Sequence, residues 1–236
     1  YFEVVSFIRK LSFGGGEPML RSDLPELINY TMRYSGQFDI CEIITNGTII
    51  PKDEVLKAFE AHRDKVFIMI DHYGAISKNA QNLSEILSSR GVKHKVRIYH
   101  GKDAHCGGWV DLGDFSHKHD PRAAEMLYAS CCIPGQIKKH TGEFRPIDRK
   151  AEMLIIPYMA MTNGVLHRCA RAYSTMQAGA VARSSDNFID MMDPAKTIIQ
   201  IREEIAKMMS LKYMTACEYC NGFSSDSKRY EPAEQL

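Results

Sequence analysis

Leu11-Ser12-Phe13-Gly14-Gly15-Gly16-Glu17-Pro18-Met19-Leu20 is the stretch whose reading decides the fold. Leu11-Ser12-Phe13 reads as the end of a short strand. The three glycines let the backbone turn sharply with no side chains in the way. Pro18 fixes its own φ and biases Glu17 toward an extended conformation. The expected product is a carboxylate beside bare peptide groups at a strand's carboxyl end. A ligand with an ammonium group suits such a spot, because Glu17 and the glycine carbonyls can all accept from it. The same residues also suit a plain strand-to-helix turn. No Gly-Lys-Ser/Thr follows, which excludes a nucleotide P-loop. Glu17-Pro18 stands where a dinucleotide fingerprint needs its last glycine.

Outward from this turn, strands and helices alternate. Phe2, Val5 and Ile8 are spaced as in a helical lead into the first strand. Asp23-Leu24-Pro25-Glu26 reads as a capped helix start, with Leu24, Leu27, Ile28 and Met32 on one face and Gly36 as its stop. Ile40–Thr45 reads as a strand ending in the Asn46-Gly47 turn. Pro51 opens a helix with Val55, Leu56 and Phe59 inward. Val66–Ile70 is an unbroken apolar run, as in strands buried on both faces of a parallel sheet, and it ends in Asp71-His72-Tyr73-Gly74. Asn79 caps a helix that Gly91 stops. Val92–Tyr99 alternates, with Lys93, Lys95 and Arg97 on one face; such a run is a solvated face or meets an acidic substrate. Strand and helix thus repeat about four times at roughly 25–30 residues each, which predicts an α/β fold with a parallel sheet or barrel. Ligands of such folds sit at the carboxyl ends of strands. The residues there are GGGEP, Thr45-Asn46-Gly47, Asp71-His72 and Tyr99-His100. Loops are polar on any surface, so this pattern alone does not make a site.

The pattern changes after residue 100. Gly101–His119 reads as a long loop, with Asp103, His105 and Asp111 near Gly107-Gly108-Trp109. Asp120-Pro121 starts a helix reaching Cys131-Cys132. Met153–Ile156 and Met159–Met161 flank Pro157, and Thr162-Asn163-Gly164 reads as a hairpin turn into Val165–Cys169. Asp193-Pro194 starts a helix with Ile198, Ile201, Ile205 and Met208, and a polar, frayed tail is expected from Ser224. The domain boundary is placed near residue 120, giving regions 1–119 and 120–236.

The 236 residues suffice for one large domain, or one domain and a small module. Thirty Lys and Arg against 29 Asp and Glu leave a net charge of +1, which gives no reason to expect nucleic acid or a membrane surface as a partner. No apolar run reaches membrane-span length and no signal peptide is present, so a reducing, cytoplasmic setting is expected. The chain opens at Tyr1, almost directly on the glycine turn, and reads as a fragment.

Seven cysteines are too few, and odd in number, for a disulfide scaffold. Cys41 lies inside a strand and reads as an inert buried thiol. Cys106 falls in the long loop. Cys217-Glu218-Tyr219-Cys220 places two thiolates on one side of a turn, able to share a metal centre. A redox pair or half a zinc site has the same spacing. Cys169 with Cys131 or Cys132 can complete a set of four, and spacing does not choose between zinc and a 4Fe–4S cluster.

GGGEP after an apolar strand resembles the motif with which radical S-adenosylmethionine (radical SAM) enzymes hold the methionine amino group. ITNG and MIDHYG at successive strand ends strengthen the likeness, and HRC…CEYC resembles the cysteine-rich SPASM/twitch extension of that family. The resemblance implies a partial (β/α) barrel lacking its first strand, followed by a small cysteine-rich α+β extension. By position, it implies that Gly14, Gly15, Gly16 and Glu17 bind the methionyl group of S-adenosylmethionine. Asn46 would lie near its carboxylate and Asp71 would bind the ribose hydroxyls. Cys169, Cys217, Cys220 and one of Cys131 and Cys132 would hold an auxiliary 4Fe–4S cluster. The family's Cys-x3-Cys-x2-Cys, which holds the cluster that splits S-adenosylmethionine, has no counterpart among these seven cysteines. The resemblance therefore implies a second 4Fe–4S cluster on a segment upstream of Tyr1, and a chain inactive by itself. It further implies cleavage to a 5′-deoxyadenosyl radical, hydrogen abstraction from a peptide or small-molecule substrate, and an electron donor such as flavodoxin or ferredoxin. Two other readings stay open: a non-catalytic iron–sulfur or zinc module, and an iron-free barrel enzyme of aldolase or isomerase type.

Overall fold

The parallel sheet follows from two apolar patterns. Val66–Ile70 has no polar residue to expose, so its strand must be covered on both faces; Phe38–Thr45 is interrupted by a single buried charge, Glu42. In the computed structural model, which describes residues 1–99, 110–131, 159–184, 186–224 and 227–230, these become β2 (Phe38–Thr45) and β3 (Val66–His72). β1 (Ile8–Phe13) and β4 (His94–Ile98) flank them. The order is β1-β2-β3-β4, all parallel, with Phe13 opposite Ile43, Thr45 opposite Ile70 and Asp71 opposite Arg97. The helices α1 (Leu24–Met32), α2 (Asp53–Ala61) and α3 (Ala80–Ser89) form the successive crossovers. Sequential order means that these four strands contain no reversal of the kind a doubly wound sheet has.

Register divides the side chains cleanly. Cys41 and Ile43 of β2, and Val66, Ile68 and Ile70 of β3, pack with Leu24, Ile28, Val55, Phe59, Leu83 and Leu87 of the helices. Each fully buried Ile, Leu or Phe there contributes about 1.5–3 kcal/mol relative to exposure. Residues of the other parity, among them Ser12, Glu42, Phe67, Asp71 and Arg97, share the opposite face.

Several local expectations are corrected. Residues 2–7 form no helix, and Ile8–Lys10 belong to β1, because their backbone pairs with β2. Asp23 precedes α1 but does not cap it; its carboxylate pairs with Arg21 at 2.6 Å. Gly36 lies in a separate 3-10 turn beyond the helix end. Asn79 spends its amide on the Thr48 carbonyl (2.6 Å) instead of on α3.

The described residues fall into two compact units, 2–99 and 110–230. In the second, α4 (Pro121–Ser130) is capped by Asp120, which accepts from the N–H groups of Arg122 (2.9 Å) and Ala123 (3.0 Å). β5 (Ala160–Thr162) and β6 (Val165–His167) make the expected hairpin, with Asn163 and Gly164 both at positive φ; β7 (Ile189–Asp190) extends it. α5 (Ala170–Gln177) follows Cys169. α6 (Ile198–Ser210) starts at Thr197, where a capping box with Gln200 wins over Asp193-Pro194. Residues 227–230 are not frayed: Asp111 donates its N–H to the Lys228 carbonyl (2.9 Å), and Val110 bridges to Arg229. Residues 110–119 pack in this unit, where His119 N donates to Glu218 O (2.7 Å) and Asn221 N to Leu112 O (3.1 Å). Among the described residues no helix is long and apolar enough to cross a membrane. His100, residues 101–109, Cys132 and Met153–Ile156 lie outside the described residues.

Candidate functional site

The glycine turn sits at the carboxyl end of β1. Gly15 (φ +83°) and Gly16 (φ +52°) occupy the left-handed region, which disfavours any residue with a Cβ. No described atom lies within 4 Å of where a Cβ would stand on either, so the space above them is open among the described residues. Glu17 is buried, and its carboxylate is engaged. One oxygen accepts from Met19 N (3.0 Å), capping the short 3-10 turn Pro18–Leu20; the other accepts from Asn46 N (2.9 Å). The expectation of an open carboxylate becomes a tie between the ends of β1 and β2. A carboxylate offers about four lone-pair positions, so half its accepting capacity remains.

Asn46 folds back on its own turn, accepting from Thr48 N (2.9 Å) and Thr48 Oγ1 (2.6 Å). Gly47 beside it is doubly required. Its φ is +69°, and a Cβ there would stand 2.9 Å from the Ala80 Cβ and 3.1 Å from the Ala80 Cα. Asp71, next to last in β3, is gripped by Arg97 of β4, Nε to Oδ1 at 2.7 Å and Nη2 to Oδ2 at 2.9 Å. Burial pushes the Asp71 carboxyl up, against the pull of Arg97; Glu42 and Glu17 push the same way. Glu42 and Asp71 thus lie on one sheet face, Glu42 mid-strand and Asp71 toward the carboxyl end. Arg97 lies 5.4 Å from the Tyr99 ring centre, and Tyr99 stacks on Tyr73 at 5.4 Å.

Glu42 is the residue that sequence reasoning missed. It is 3% exposed, bonded to Lys10 Nζ (3.0 Å) and Ser12 Oγ (2.8 Å). Its signal was present: a charge flanked by Ile40-Cys41 and Ile43-Ile44, on the parity that faces away from the helices. The basic run is also redefined, since Arg97 is spent on Asp71.

Cys131, Cys169, Cys217 and Cys220 line one cavity of the second unit. Cys131 follows α4, and Cys169 is the residue before α5. Cys217 lies in the 3-10 helix Thr215–Tyr219, which is fixed from below: Ala216 N donates to Asn187 Oδ1 (3.0 Å), and Asp186 accepts from Thr215 N (3.3 Å) and its hydroxyl. Burial pushes the Cys169 thiol to about 11 and the Cys217 thiol to about 12, and neighbouring thiols add to both shifts. The N–H groups of Ala172 and Arg171, at the start of α5, draw Cys169 the other way. Gly222 N donates to Cys220 Sγ (3.4 Å). Yet no group of three or more His, Cys, Asp or Glu among the described residues is drawn together tightly enough to hold a single metal ion. Cys41 is apart, fully buried in the sheet core, its thiol pushed to about 12 by burial. A more open pocket of about 590 Å³ adjoins Arg171, Phe115 and Tyr219.

A curated protein, the probable GTP 3',8-cyclase of Methanococcus maripaludis, is 38% identical to the chain over 64 residues. That segment is 27% of this chain and 20% of the relative. The match supports a radical SAM relationship. No protein-family model and no solved structure matches the chain.

Proposed function

We propose that the chain is part of a radical SAM enzyme: a partial (β/α) barrel in the first unit, then a twitch-like auxiliary-cluster region in the second, with residues 110–119 belonging to the latter. The observation that carries the reading is the Glu17 tie, which holds an open, left-handed glycine turn against the Asn46 turn at the carboxyl end of a parallel sheet. The residues fit the methionyl end of S-adenosylmethionine. Space is open over Gly15 and Gly16, and Glu17 keeps accepting capacity for an ammonium group. Asp71 fits the ribose hydroxyls if it shares its oxygens with Arg97. S-adenosylmethionine, with a reduced 4Fe–4S cluster that these seven cysteines are not spaced to hold, would supply radical chemistry for hydrogen abstraction. The chain's own residues bind, orient and exclude water. Glu42, Lys10 and Ser12, which share one sheet face, would help orient a polar group of a peptide or small-molecule substrate. A flavodoxin or ferredoxin is the proposed electron donor, and the cell interior the proposed setting.

Four thiols around one cavity match the ligand number of an auxiliary 4Fe–4S cluster, which the resemblance to the twitch extension favours over a lone zinc ion. A second reading, a non-catalytic metal module, draws on the fact that both Glu17 oxygens are already bonded.

The test is anaerobic preparation of the complete gene product, measuring iron, sulfide and zinc, then 5′-deoxyadenosine formed on reduction with S-adenosylmethionine. About eight irons, for two 4Fe–4S clusters, with turnover abolished by Gly16→Val, is the expected result. Iron without cleavage favours the non-catalytic module, and zinc without iron removes the functional claim.

A further inference from the structure

Arg171 is the second residue of α5, two positions after Cys169, and lines the cavity with the four thiols. It is held from two directions. Nη2 donates to the carbonyls of Leu112 (3.1 Å) and Gly113, and the guanidinium lies 3.7 Å over the centre of the Phe115 ring. Its Nε is nevertheless buried with no hydrogen-bond partner among the described residues. Native proteins rarely strand a buried donor, and less often one on a permanent charge. An acceptor belongs beside it, and the acceptors lining this cavity are the four cysteine sulfurs and the Tyr128 hydroxyl, itself buried without a partner among the described residues.

We propose that Arg171 is a positioning residue for the auxiliary cluster, donating Nε–H to a sulfur of the centre held by Cys131, Cys169, Cys217 and Cys220. The inference rests on the four-thiol reading above. A single zinc ion would leave Nε only thiolate sulfurs to meet, whereas a cluster adds bridging sulfides. Gly222 N already donates to Cys220 Sγ (3.4 Å), so the cavity supplies donors to sulfur elsewhere. A fixed positive charge and an N–H aimed at sulfur stabilise the more negative, reduced state of a cluster, and so raise its potential. Tethering to two carbonyls and stacking on Phe115 keep the donor aimed, which a lysine in its place could not match.

The experiment loads the full chain with iron and sulfide anaerobically. It then measures iron per chain and the midpoint potential, by redox titration followed by electron paramagnetic resonance. Arg171→Leu is expected to keep about four irons, as one 4Fe–4S cluster needs, because all four thiolates remain. Its potential is expected to shift to more negative values. Arg171→Lys, which keeps the charge but loses the fork, is expected between Arg171→Leu and the parent. Potentials equal to the parent in both variants overturn the proposal. Loss of iron from both, with the thiols still reduced and countable, also overturns it, because a positioning donor is not a ligand. A parent chain that takes up zinc but no iron overturns the cluster reading itself, and shows this before any variant is compared.

Discussion

Glu17 shows how one side chain serves two turns at once. Its carboxylate accepts from two buried N–H groups, Met19 N and Asn46 N, 29 residues apart in the second case. Removing it strands both donors, each at about 1–3 kcal/mol. Glu17→Ala is expected to lower the stability of the first unit by about 2–6 kcal/mol in urea unfolding, and Glu17→Gln by less, since one acceptor survives. Equal losses would show that the carboxylate's charge, not its hydrogen bonds, holds the turns. The glycines allow a sharper comparison. Gly15→Ala meets backbone strain but empty space, whereas Gly47→Ala meets strain and the Ala80 backbone at 3.1 Å. Gly47→Ala should therefore destabilise more, by thermal melting; the reverse order would contradict the packing of α3 against that turn. Arg97→Met leaves Asp71 buried without its partner, at about 3–5 kcal/mol near neutral pH. The sign with pH follows from the Asp71 carboxyl, already raised by burial and raised further without Arg97. A group with a raised folded pKa contributes its stability below the unfolded value of about 3.9 and loses it as pH rises through the folded value. The Arg97→Met deficit should thus grow as pH rises from about 4 toward 7 and shrink in acid. A deficit constant over that range would mean that Asp71 is not the group affected.

At the scale of elements, legibility tracked how many constraints agreed. β3 was readable because an apolar run of that length has one consistent interpretation, and β6 because Asn163-Gly164 carries the turn its hairpin needs. β1 was misread at its start because Phe2, Val5 and Ile8 fit a helical spacing by chance, and a window that short cannot separate periods. Its true partner, β2, lies thirty residues ahead and is invisible locally. Helix starts failed where two caps competed. Asp23 and Asp193 both precede apolar runs, but Asp23 is claimed by Arg21, and Thr197 with Gln200 outcompetes Asp193 for α6. Asp120, with no rival, does cap. Asp120→Ala should cost the second unit about 1 kcal/mol, while Asp23→Ala should leave the melting temperature of the first unchanged. A measurable loss from Asp23→Ala would restore it as a cap in solution.

The four-cysteine cavity is the feature of the whole molecule that no single segment announces. Cys217 and Cys220 were readable as a pair from spacing, and Cys169 and Cys131 as possible companions. Their meeting depends on α4, α5 and the Thr215–Tyr219 turn packing around one small core of Ala172, Met176, Met214 and Ala216. Arg171 had no signal at all, because an arginine in a helix's first turn is ordinary until its surroundings are seen. Nor did sequence choose between Cys131 and Cys132; Cys131 lines the cavity, and Cys132 lies outside the described residues. A core of that size supports a unit weakly, and a metal centre bound to three separate chain segments would close long loops and add its binding free energy to folding. Iron loading should therefore slow hydrogen exchange in 121–131, 165–177 and 214–222, and leave the 38–72 segment, with its own apolar core, unchanged. Cys217→Ser should remove the added protection without altering the first unit. Cys41 serves as the internal control: fully buried with its thiol pushed to about 12, it should resist iodoacetamide at pH 8.5 with or without metal, and react only on unfolding. Protection that spread equally over both segments on loading would mean that the centre stabilises the whole chain and not the unit whose thiols surround it.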